Sequence, residues 1–205
     1  TPTGQALPTP TALPLAVDVP YCAPDATGGV WCSALVHNTT AQDVELVSGA
    51  FRLASPGGEN IRTEAAFTPL AHIAPQGSLP LFTYFDPPAP IPFEASVELT
   101  TALPVAAPES RYLAVSLTPP RVTLSADGLS AEASTTLTLP ANSPATVQVK
   151  AVLLGLDAQG QVVGLRTWEP PQGQSGPSFD LQITVYSTGQ PITRTELLAE
   201  ARVAP

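Results

Sequence analysis

The chain has 205 residues, of which 43% are hydrophobic and only 12% charged; 25 are Pro, 14 are Gly and none is Met. Eight Lys and Arg against 17 Asp and Glu leave a net charge of -9, which argues against nucleic acid and against anionic membrane surfaces, since both need clustered basic residues. Enough apolar residues are present to bury a core, and prolines spread along the whole chain oppose an α-helical fold. No run approaches the roughly 18 apolar residues of a membrane span, and no basic-then-apolar leader is present.

Residues 1–14, from Thr1 to Pro14, form a Thr/Pro tract of the composition expected of an extended tether. Such tethers follow the lipid-bearing cysteine of exported bacterial lipoproteins. A lost N-terminal lipid anchor is thus the one route to a membrane, with plain secretion as the alternative. Cys22 and Cys32 flank a segment with Pro-Asp and Gly-Gly turn signals, which suits a disulfide between neighbouring strands and an oxidising compartment. Two buried thiols, or half of a metal site, are the competing readings; His37 and His72 are the only histidines and no ligand spacing accompanies them. Trp31, beside Cys32, is expected in the core.

The chain matches itself at an offset of about one hundred residues. Val44, Leu46, Phe51, Leu53 and Gly57 fall opposite Val147, Val149, Leu154, Leu156 and Gly160. Pro75-Gln76-Gly77 resembles Pro171-Gln172-Gly173, and Pro90-Ile91 resembles Pro191-Ile192, ahead of alternating runs in both copies. Apolar residues recur at period two in Leu79, Leu81, Thr83, Phe85 and in Phe179, Leu181, Ile183, Val185. Asp127-Gly128 and Asp157 to Gly160 are turn signals. Thr195 to Arg202 is read as a strand.

These features predict an all-β chain of two tandem antiparallel immunoglobulin-like β-sandwiches, over 15–117 and 118–205, with the break at Thr118-Pro119-Pro120. Sandwiches joined by so short a linker are expected to form a rod with a modest interface. The stretch Val152 to Gly164, with Phe51-Arg52-Leu53 in the first copy, resembles the central hairpin of the FxLYD family of bacterial immunoglobulin-like domains. That resemblance implies an extracytoplasmic, non-catalytic module and carries over no functional residues.

Chemistry-bearing constellations are few. No Gly-x-Ser-x-Gly elbow accompanies His37 or His72, which are read as strand and rim residues. Glu59, Glu64, Asp86 and Glu94 stand singly, and no phosphate loop is present. Asp157 to Gly160 offers calcium one carboxylate where several are needed. No catalytic residue, metal site or cofactor is therefore expected. Asn38-Thr39-Thr40 matches a glycosylation sequon but reads as a turn.

Two functions remain. One is a structural or interaction protein, secreted or lipid-anchored at the bacterial cell surface. The other is a carbohydrate- or wall-binding module using exposed aromatics. Trp168 is its candidate stacking platform, followed by Tyr84 and Tyr186, read as equivalent places in the two copies. The competing reading packs Trp168 over its own core beside Arg166. The partner, protein or glycan, is not identified.

Overall fold

The computed structural model describes residues 13–59, 61–105, 111–144, 146–171 and 176–203. Within them the chain is all-β, its strands antiparallel, and no helix is present. Residues 1–12 of the expected tether lie outside the described residues, as do Gln172 and Gly173. Leu13, at the tract's end, already donates its backbone N–H to Ala102 O at 2.9 Å, and Leu15 is buried.

The first half contains β1 (Ala16–Val17), β2 (Tyr21–Pro24), β3 (Val30–His37), β4 (Val44–Ala54), β5 (Ile61–Phe67), β6 (His72–Ile73), β7 (Ser78–Phe85) and β8 (Glu94–Pro104). The second half contains β9 (Tyr112–Leu113), β10 (Ser116–Leu117), β11 (Arg121–Leu124), β12 (Ser130–Thr138), β13 (Val147–Leu156), β14 (Val162–Trp168), β15 (Ser178–Tyr186) and β16 (Arg194–Val203).

One pairing scheme occurs twice. β3 lies between β7 and the pair β1, β2, as β12 lies between β15 and the pair β10, β11. β4 lies between β5 and β8, as β13 lies between β14 and β16. A single bridge, Phe67 to Phe82, joins the two layers of the first half into an eight-stranded sheet. The expected alternation is present: Leu79, Leu81, Thr83 and Phe85 are buried, as are Phe179, Leu181, Ile183 and Val185.

The ladders shift the match between the two halves by one residue in the central hairpin. Gly49 opposite Ala66 corresponds to Ala151 opposite Trp168, a shift of 102 at both residues. Gly160 thus answers to Gly58, not Gly57: each donates its N–H three residues back, to Ser55 O and Asp157 O, with φ of 78° and 84°. The sequence match paired apolar residues without regard to face. Phe51 and Leu53 point into their own half, whereas Leu154 and Leu156 pack against the other one.

Thr118-Pro119-Pro120 sits inside a paired edge, between β10 and β11, both on β12. Pro20 interrupts β1 and β2 in the same way, both on β3. Proline lacks an N–H, so an edge strand tolerates it where a central strand does not. β9 and β10 precede these prolines yet pair with β16 and β12, so the change of partners falls between Pro104 and Tyr112.

The second half has apolar clusters of its own, but the core of the first half is completed by the second. One apolar cluster unites Val30, Cys32, Phe51, Leu53, Leu81 and Phe85 with Val152, Leu154, Leu156 and Val162. β13 is buried on both faces from Ala151 to Leu156 because Leu153 and Ala151 turn the other way, onto β12, β15 and β16. Ser33 Oγ donates a buried 2.6 Å hydrogen bond to Val162 O. Instead of a modest contact, a shared core joins the halves, because the outward face of β13 is as apolar as the inward one.

Candidate functional site

Cys22 and Cys32 stand directly opposite each other in the β2–β3 hairpin and form a disulfide. The hairpin turn is organised by Asp25. Its Oδ1 accepts the N–H groups of Thr27 (2.8 Å) and Gly29 (3.0 Å) and the Thr27 hydroxyl (2.7 Å), while Oδ2 accepts the Tyr84 hydroxyl at 2.8 Å. Hydrogen bonds from Thr27 and then Tyr84 favour the carboxylate and hold its pKa down at about 2.

Trp31 is not in the core. Position 31 faces outward from β3, opposite to Cys32, and the ring is 41% exposed. It leans on Tyr84, with centroids 4.6 Å apart and planes at 39°. Tyr84 is therefore committed at both ends, ring to Trp31 and hydroxyl to Asp25. Tyr84 and Tyr186 are not equivalent positions either. Tyr84 pairs with Trp31, whereas Tyr186 pairs with Ser130, so the ladders align Phe85 with Val185 and place Tyr186 one step further on. Tyr186 is 70% exposed.

Trp168 is half-buried. It packs against both apolar clusters of the second half and meets Phe179 edge-on at 6.5 Å. Trp168 thus packs on the second half's own clusters, whereas Tyr84 is held against Trp31 and Tyr186 stands exposed.

A different set converges. Cross-strand partners on β2, β3 and β7 place Tyr21, Ser33 and Phe82 in one row, and Ala23, Trp31 and Tyr84 in the next on the same face. Val162 to Leu165 of β14, with Tyr186 and Thr188, form the opposite wall of a cleft of about 190 Å³. Phe82 and Tyr84 occupy the outward parity of β7, where polar residues are usual. That parity was the sequence signal for a covered or functional face.

A polar cluster ties the halves elsewhere. His72 Nε2 lies 2.7 Å from Asp43 Oδ1, and its ring stacks on Tyr112 with centroids 4.7 Å apart. The Tyr112 hydroxyl donates to Glu45 Oε2 at 2.7 Å, and Arg111 Nη2 donates to both oxygens of the same carboxylate. Burial, then the hydrogen bond to Glu45, pushes the Tyr112 hydroxyl pKa far up. Glu200 accepts the Ala71 N–H at 2.8 Å, and burial raises its carboxyl above the usual range.

His37 bridges Ser78 Oγ, 2.7 Å from Nδ1, and Asp18 Oδ2, 3.0 Å from Nε2. Which serine meets His37 is decided by the register, since His37 stands opposite Ser78 in the β3–β7 ladder. In the hydrolase arrangement the hydroxyl is on Nε2 and the acid on Nδ1, the reverse of this connectivity. Arg62 pairs with the Glu64 carboxylate at 3.3 Å and donates to the backbone carbonyl of Asp86. Asp157 is buried and spends one oxygen on the N–H groups of Gln159 and Gln161. Asn38 is 1% exposed, and its amide nitrogen donates to Gln42 O, Ile73 O and Ala74 O, so the sequon is a structural turn. Among the described residues, no group of three or more His, Cys, Asp or Glu side chains is arranged to hold a metal ion.

No protein-family model matches the chain, and a search of curated proteins finds no matching relative.

Proposed function

We propose that this chain is a non-catalytic surface or envelope protein of an extracytoplasmic compartment. In this reading, two immunoglobulin-like sandwiches, each similar to FxLYD domains, are fused into one rigid structural and interaction module. It is secreted, or lipid-anchored through the Thr/Pro tract. The observation that carries it is the apolar cluster shared by both halves, which suits a stiff spacer better than a hinged pair. The disulfide favours an oxidising compartment. The titratable groups support the same reading, since they are spent on turns and on the junction: Asp25 on its hairpin, Glu45 on Tyr112 and Arg111, and Glu200 on Ala71.

Two measurements test it. Maleimide labelling of protein drawn from the producing cells should modify neither cysteine before reduction and both after it; free thiols as isolated would count against an oxidising compartment. A fluorophosphonate probe should leave Ser78 unmodified. Stoichiometric labelling that disappears in His37→Gln would overturn the non-catalytic reading. A second reading, a carbohydrate-binding module, is favoured by the aromatic rows of β2, β3 and β7.

A further inference from the structure

We infer that the cleft between Trp31 and Tyr186 is a binding site for one ring of a neutral saccharide. This gives the second reading a place and a ligand class, and it rests on that reading. The cleft is built from both halves: Tyr21, Trp31, Ser33 and Phe82 on one side, and Val162 to Leu165, Tyr186 and Thr188 on the other. At about 190 Å³ it is a single-ring subsite rather than a groove for a long segment.

Its chemistry selects the ligand in three ways. First, no Asp, Glu, Lys or Arg lines it, in a chain of net charge -9, so the complementary ligand is uncharged. Second, Trp31 and Tyr186 are 41% and 70% exposed, and both line this one cleft, so their apolar surface is presented together rather than scattered. The axial C–H groups of a pyranose carry partial positive charge and meet the negative face of an aromatic ring. Trp31 is held for this by its contact with Tyr84, whose hydroxyl is fixed by Asp25, so little side-chain freedom is lost on binding.

Third, the Thr188 and Tyr21 hydroxyls of the cleft remain able to bond. Thr188 Oγ1 donates to Val163 O, which leaves its lone pairs to accept from a ligand O–H, whereas the Ser33 hydroxyl is buried in its bond to Val162 O. Tyr21 accepts the Gln190 N–H at 3.4 Å, which leaves its proton to donate. A flat apolar face flanked by mixed hydroxyl donors and acceptors matches the two-sided character of a sugar ring. A purely apolar ligand would leave the Tyr21 proton without an acceptor.

The test is isothermal titration of the full chain with cellohexaose, laminarihexaose, chitohexaose, maltohexaose and xylohexaose, each to roughly 10 mM. The expected result is saturable binding of at least one. It should weaken about tenfold or more in Tyr186→Ala and in Trp31→Ala, and recover in part in Trp31→Phe. Tyr186 is exposed, so its variant keeps the fold, and circular dichroism with an unchanged melting temperature verifies this. Binding that survives both alanine variants would overturn the cleft while sparing the carbohydrate-binding reading. No binding to any of the five would overturn both, and would leave the rigid spacer untouched.

Discussion

Leu154→Ala tests whether the two halves fold as one body. Leu154 is 0% exposed and lies on the face of β13 that joins the apolar cluster of the first half. The substitution removes three carbons, worth about 0.8 kcal/mol each in transfer alone, or roughly 2.4 kcal/mol. A cavity adds to this, because β13 is held by β14 and β16 on either side and cannot collapse inward freely. The expected loss is about 3–4 kcal/mol, within the range of buried Leu→Ala substitutions. For a chain of this size each kcal/mol moves Tm by about 2–4 °C, so a fall of roughly 6–16 °C follows. Differential scanning calorimetry should show one transition before and after, moved as a whole. Hydrogen exchange should report faster opening in β3 and β4 as well as in β13. Two resolved transitions, with the first-half strands unmoved, would refute the shared core.

Three further outcomes are expected. A Cβ on Gly29 would stand 2.0 Å from Tyr84 Oη, so Gly29→Ala should expel that hydroxyl, lower Tm and raise the Asp25 pKa from about 2. The stability that Asp25 contributes is present above its ordinary value of 3.8 and is lost as pH falls through about 2; carbon NMR of the carboxyl reads the shift, and an unmoved titration would sink the account. Glu200 has the opposite sign: its folded pKa is raised, so its favourable contribution is complete below 4.5 and disappears as pH rises through the folded value. Glu200→Gln should therefore raise Tm relative to wild type at pH 8 but not at pH 4, and a difference independent of pH would disprove that burial raises the carboxyl. Reduction of the disulfide, whose cysteines are 10 residues apart, should cost about 2–3 kcal/mol and lower Tm by roughly 4–12 °C, and a smaller shift would mean that the β2–β3 ladder and the Asp25 turn hold the hairpin without it.

Much of the strand pattern was legible because alternation is local. The inward face of β15 could be read from Phe179, Leu181, Ile183 and Val185, and the turns from Asp127-Gly128 and Asp157 to Gly160. The Asp127 carboxyl is lowered by the Ser125 hydroxyl and then the Leu129 N–H, the local bonding such a turn sequence specifies. The disulfide was legible for the same reason, since ten residues and a turn bring its ends together. The candidate site was not. The Tyr21 and Trp31 hairpin, Phe82 and Tyr186 are far apart in the chain and meet only because β2, β3 and β7 adjoin β14 and β15, whereas Trp168 packs on the clusters of its own half.

The sequence by itself determined an all-β chain with a repeated strand pattern and a disulfide hairpin, because period-two patterning and turn chemistry act over a few residues. Only the tertiary structure decided that Leu154 faces the other half, that His37 meets Ser78, and that Trp31 opens onto a cleft. A residue's parity shows that it has two faces to choose from, but not what covers each of them; that depends on ladder register and on which sheets stack, and a one-residue slip exchanges the two.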